Sequence, residues 1–161
     1  MSKEVENVLT NGLHAGYAGG KPENVTRGTV DGKVSHIKQV GSIYHDEWFV
    51  GTRVGGGQEL VVFGDQKFTR LYAGGTPDTK ALESLGITTK DVSRYLKSKI
   101  LELGNETRLF QDCTPEPDGY WQYAYRIATN SKSIGLTTAM ESIHYQTTPV
   151  HLHAFILSPI K

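Results

Sequence analysis

Apolar positions recur along this chain with two different periods. In residues 88–103, Val92, Tyr95, Leu96, Ile100 and Leu103 fall three or four apart. Lys99 interrupts an otherwise apolar stripe, so the spacing predicts an amphipathic helix. Thr88 with Asp91 three residues on predicts a capping box, and Gly104 predicts the stop. A shorter helix is expected over 78–85 and another over 4–10. Elsewhere the period is two. Residues 34–38, 47–54, 59–63 and 68–72 read as strands in the first half. Residues 121–128, 134–138, 140–145 and 150–157 read as strands at the end.

Between these runs lie breakers. Asp65-Gln66 reads as a tight hairpin turn, and Gly55-Gly56-Gly57 as a longer hairpin loop. Residues 11–32 and 113–120, rich in Gly, Asn, Thr or Pro, read as loop or edge strand. The expected fold is a single α+β domain over 1–161. Two related antiparallel β-meander units, about 33–75 and 120–157, are joined by a helical middle segment at about 78–103.

The case for relatedness is a shift of 82 residues. It lays Glu59, Val61, Phe63 and Phe68 over Glu141, Ile143, Tyr145 and Val150. Upstream, Val50-Gly51 lies over Ile134-Gly135, and the triple glycine absorbs a two-residue gap. Convergent hairpin patterning is the competing explanation. The tetrapeptide Tyr-Ala-Gly-Gly at 17–20 and 72–75 is not part of this repeat. It reads as two strand ends where a glycine pair breaks pairing. None of the glycine clusters leads into Gly-Lys-Ser/Thr, which excludes a nucleotide P-loop.

Composition narrows the function classes. Of 161 residues, 37% are hydrophobic and 21% charged, as in a folded soluble domain. The 17 Lys+Arg balance 17 Asp+Glu, so the footprint of a general nucleic-acid binder is missing. No apolar run suggests a signal peptide or a membrane span. One cysteine, Cys113, excludes an internal disulfide and points to the cytoplasm. No motif around Cys113 marks a nucleophile, so it reads as an inert thiol.

The order Tyr44-x-Asp46, Phe49-x-Gly51, Glu59-x-Val61, Tyr72-x-Gly74-Gly75, Trp121-x-Tyr123, Gly135, Glu141-x-Ile143-x-Tyr145 and Val150 resembles an uncharacterised bacterial domain family. Its members occur alone and C-terminal to helix-turn-helix regulators. The resemblance covers about residues 10–157 and implies effector sensing. It supplies no activity.

Two sets of residues carry candidate chemistry. Glu59 and Glu141 begin equivalent strands and invite either a general acid/base role or a structural one as hydrogen-bond acceptors. With Arg53 and the aromatics Tyr44, Trp48, Tyr72, Trp121 and Tyr123 they are the candidate lining of a cleft between the two units. The second set is a histidine trio. With a turn centred on Thr147-Thr148, His144 would lie across from His151 and share a face with His153. Ile143, Tyr145, Val150 and Leu152 would then be the buried side. Three imidazoles on one face suit zinc or a similar divalent metal. A slip of one residue would send His144 to the other face. His45-Asp46-Glu47 reads as a solvent loop cluster.

The sequence thus leads to a small-ligand-binding or effector-sensing module with no cofactor expected. One alternative is a metal-dependent hydrolase on the histidine trio. The other is a protein-interaction module using an exposed strand edge. Expected partners are a small molecule, with no general nucleic-acid binding and no membrane, and with room left for a homodimer.

Overall fold

In a computed structural model, which describes residues 2–161, eight strands form one antiparallel sheet in the order β1-β2-β3-β4-β5-β8-β7-β6. They are β1 (Glu23–Arg27), β2 (Val30–Gln39), β3 (Ser42–Val50), β4 (Val54–Phe63), β5 (Gln66–Gly75), β6 (Trp121–Ser131), β7 (Leu136–Tyr145) and β8 (Thr148–Ile160). Three helices accompany them: α1 (Lys3–Leu13), α2 (Thr79–Ser84) and α3 (Thr89–Leu103). With 50% strand and 25% helix the domain is β-rich, which overturns the expected α+β class.

The expectation of two separate meander units fails for a definite reason. β5 and β8 pair along their length, from Lys67↔Ile160 to Gly75↔Leu152. Their backbone hydrogen bonds join both meanders into one surface, so no cleft runs between two units. Two predicted breaks are also absent. Gly55–Gly57 is not a loop but part of β4, paired with β3 on one side and β5 on the other. The two short strands expected over 134–138 and 140–145 are one strand, β7, which starts at Leu136, and 140 is an outward position in it. Residues 11–32, expected as loop or edge strand, hold the end of α1, a π-helical turn (His14–Ala18) and β1, which is an edge strand of the sheet.

The helix-covered face carries the core. Tyr44, Val61 and Phe68 form one row across β3, β4 and β5. Val5, Leu9 and Leu13 of α1, with Leu82, Val92, Leu96 and Ile100 of α2 and α3, pack in the same cluster. The stripe and caps of α3 match the sequence reading, with the full Thr88–Asp91 capping box present. Lys99, the odd member of that stripe, is buried and pairs with Glu102 and Asp118, tying the 113–120 loop to α3. The opposite face of the sheet exposes Leu71, Met140, Leu152 and Ile156, so Leu152 is not part of the core. No helix among the described residues is long and apolar enough to cross a membrane.

Candidate functional site

The covered face holds an unusual number of charges. Along one row Asp46, Glu59 and Arg70 are directly paired residues of β3, β4 and β5, and each is at most 1% exposed. Period two places Asp46 between Tyr44 and Trp48, and Arg70 between Phe68 and Tyr72, so inward parity dictates their burial. A buried charge survives only if it is paired and hydrogen-bonded. Arg70 satisfies this by gripping both Glu59 oxygens, with Nη2 to Oε1 at 2.6 Å. Tyr44 Oη donates to Glu59 Oε1 at 2.8 Å.

The other half of the sheet repeats this arrangement with a different arginine. Tyr123 Oη donates to Glu141 Oε1 at 2.6 Å, and Arg108 Nε and Nη2 bind the two Glu141 oxygens at 2.7 Å each. Glu141 lies across from Tyr125 and His153, as Glu59 lies across from Asp46 and Arg70. His153 thus stands where Arg70 would be, and Arg108 arrives from the segment after α3 instead. Its backbone is left-handed, with φ 58°, a conformation a non-glycine residue adopts at a cost. Arg70 Nη1 donates to the Arg108 carbonyl, and Tyr125 Oη donates to Leu109 O at 2.8 Å, which pins this segment. Burial works to raise the Glu141 carboxyl, but the Arg108 guanidinium outweighs it and holds the group well below the usual range.

Asp46 lacks such a cation. Its Oδ1 accepts from Tyr72 Oη at 2.9 Å, while its Oδ2 has no partner among the described residues. Burial, reinforced by the Glu59 charge, pushes its carboxyl up to about 8, so it is protonated at neutral pH. Tyr72 reaches Asp46 over Gly57. A Cβ at Gly57 would lie 2.5 Å from Tyr72 Oη and 2.7 Å from Trp48 Cβ, so only glycine leaves that passage open.

Asp46 lines a cavity of about 590 Å³ between the sheet and α3. Trp48 and Tyr17 form part of its wall, edge to face at 5.8 Å. The paired glycines Gly55 and Gly74 leave bare strand backbone on another side. A side chain at Gly74 would strike Leu152 O at 2.0 Å and the His153 ring at 2.5 Å. His151, His153 and Arg108 close the inner end. Burial holds the His153 imidazole below its ordinary value, so it is neutral. Both Tyr-Ala-Gly-Gly stretches reach this cavity, through Tyr17 in the π-helical turn and through Tyr72, Gly74 and Gly75 at the end of β5.

The candidate lining therefore divides. Trp48, Arg53, Glu59 and Tyr72 line the cavity. Tyr44, Tyr123 and Glu141 are core residues that hold its floor from behind. Trp121 lies elsewhere, stacked on Tyr95 at 4.9 Å. The histidine trio is not formed. The turn sits at 146–147, and a bulge between Ile143 and His144 shifts the register, so His151 pairs with Ile143 and not with His144. Glu141 takes the third place: Glu141, His151 and His153 each bring a ligand atom within 4.8 Å of the others. His151 Nε2 and His153 Nδ1 lie 3.4 and 3.6 Å from Glu141 Oε2 without hydrogen-bond geometry. The donor set is right for zinc, but the surroundings are not. Both carboxylate oxygens are occupied by Arg108, and a dication would sit against that guanidinium.

Two further features of the sequence have definite places in the structure. His45-Asp46-Glu47 is strand, not loop, with Asp46 inward and Glu47 paired outward with Arg27 at 2.8 Å. Cys113 is buried beside Tyr125, and burial pushes its thiol up. Arg70 was readable as an inward position of the period-two strand 68–72, whereas Asp46 falls in a polar triplet that reads as loop. Arg108 carries no sequence signal, because it lies outside any periodic element. Compared with protein-family models, curated proteins and solved structures, the chain matches none.

Proposed function

We propose that this domain binds a small organic molecule in the cavity beneath α3, as a ligand-binding or effector-sensing module. The observation that carries the reading is the unpaired Oδ2 of fully buried Asp46 at the cavity wall. A buried polar atom without a partner is costly, and a ligand atom would supply the missing hydrogen bond. The volume of about 590 Å³ suits a small-molecule site, as does an apolar wall with few convergent polar groups. Rigid support comes from the two Tyr–Glu–Arg triads behind the floor. Their equivalent placement also supports descent of the two halves from one meander.

Native mass spectrometry on untagged protein tests this. Native and denatured masses are compared before and after chelation, for the wild type and for Ser93→Trp, which fills the cavity from α3. A co-purified organic mass lost in Ser93→Trp is the expected result. A chelator-sensitive transition-metal mass would overturn it in favour of a metal-dependent hydrolase on Glu141, His151 and His153.

A further inference from the structure

We infer that the ligand is an anion: a small carboxylate- or phosphate-bearing molecule whose charged group sits among Arg53, Lys90, Arg94 and Lys97, with its body directed inward to Asp46. This rests on the cavity being a ligand site and adds the chemical class. The chain as a whole is neutral, with 17 basic and 17 acidic residues. The cavity lining is not. It carries those four cations together with Arg108, against the carboxyl groups of Asp46 and Glu59 only.

The distribution matters more than the count. Glu59 is neutralised by Arg70, and Arg108 by Glu141, so the inner charges cancel in pairs. Asp46 is a neutral acid near pH 7. What remains uncompensated lies at the mouth. Arg94 alone has a carboxylate beside it, Asp91 at 3.1 Å, and that group already caps α3 through Thr88. Lys97 stands over the Tyr17 ring at 4.9 Å, next to the cavity opening. A mouth lined by one sign of charge above apolar walls concentrates the field and draws in the opposite ion.

The inner end asks for an acceptor. With Asp46 Oδ1 accepting from Tyr72, the acid proton falls on Oδ2, which can donate to a carbonyl, ether or ring nitrogen of the ligand. The groups facing Asp46 are Glu59, Arg70, Tyr72 and Arg108, and Tyr72 alone is hydrogen-bonded to it. A cationic ligand would have to pass the like charges of Arg53, Lys90, Arg94 and Lys97. A neutral molecule would leave the mouth unused.

A matched set of probes decides the class: benzoate, phenyl phosphate, benzamide, benzylamine and inorganic phosphate. Binding is measured by calorimetry and by the rise in Tm, at low and at moderate salt. Lys90→Ala/Arg94→Ala/Lys97→Ala alters only the helix surface at the mouth, and Ser93→Trp blocks the cavity. The expected result is binding of benzoate or phenyl phosphate at least about tenfold tighter than benzamide, no binding of benzylamine, and about tenfold loss in the triple variant. Which of the two anions wins separates carboxylate from phosphate recognition. Inorganic phosphate binding as tightly as phenyl phosphate would overturn the claim that the body of the ligand occupies the cavity. Benzamide or benzylamine binding as well as benzoate, with Ser93→Trp abolishing it, would overturn the anion class and leave the ligand site standing. No binding by any probe would overturn the anion class, while the mass-spectrometric test still decides the site.

Discussion

Replacing Asp46 by asparagine should make the protein more stable as pH rises relative to wild type. Asp46 is fully buried beside Glu59, and its carboxyl is displaced upward from 3.8 to about 8. Between these values the folded chain holds a proton that the unfolded chain has released. Stability therefore falls with pH across that window, by about 1.4 kcal/mol per pH unit. Over roughly four units the penalty approaches about 5 kcal/mol at pH 8 and above, a large part of a typical domain's stability. Asparagine is neutral throughout and keeps an acceptor for Tyr72, so it escapes this loss. Urea unfolding of both proteins at one-unit steps from pH 5 to pH 9 isolates the effect. Titrating groups that do not interact with Asp46 cancel in the difference. Glu141, held low by Arg108, loses its contribution only as pH falls toward the acid range, and neutral His153 opposes folding only below about pH 6.5. The difference should grow in favour of Asp46→Asn by about 3 kcal/mol between pH 5 and pH 7 and level off above about pH 8. A difference that stays constant from pH 5 to pH 8 would refute the reasoning, because Asp46 would then ionise as an ordinary carboxylate.

Four other single substitutions, one of them paired in a double variant, probe the floor of the cavity. Tyr44→Phe and Tyr123→Phe each remove one hydrogen bond to a buried carboxylate and should cost about 1.5–3 kcal/mol by urea unfolding. A near-zero value at either position would show that its triad is not a stabilising unit. Arg108→Met should cost about 3–5 kcal/mol by leaving Glu141 buried and unpaired, and Arg108→Met/Glu141→Leu should recover much of that. Additive losses in the double variant would contradict the pairing. Gly57→Ala should destabilise by about 1–3 kcal/mol and shift the Tyr72 ring resonances, since the added Cβ occupies the passage to Asp46.

The elements were largely legible in the sequence, and their assembly was not. Local periodicity locates α3, its capping box and the Asp65-Gln66 turn, because these depend on residues close in the chain. The pairing of β5 with β8 joins residues between 77 and 93 positions apart, which no local pattern records. Glycine misled for a related reason. Gly55–Gly57 looks like a loop, yet it is strand whose side chains were dispensed with so that Tyr72 and Trp48 could pass. Glu59, Glu141, Trp48, Arg53 and Tyr72 were found as candidates because inward parity or hairpin position marks them. The histidine trio failed on one bulged residue, and that bulge substituted Glu141 for His144. Asp46 was misread because its neighbours His45 and Glu47 are polar, and a polar triplet hides one inward-facing carboxyl.

The central claim, that the cavity beneath α3 is a site for a small anion, is tested most directly by the two tryptophans. Trp48 lines the cavity, whereas Trp121 is stacked on Tyr95 away from it. Their indole N–H signals can be followed by ¹H–¹⁵N correlation spectra while sodium benzoate is added, with benzylamine hydrochloride as the control. The account predicts a saturable shift of the Trp48 indole with benzoate alone, and a stationary Trp121 signal. A Trp48 signal that stays fixed while benzoate is raised, or that moves equally with benzylamine, would contradict it.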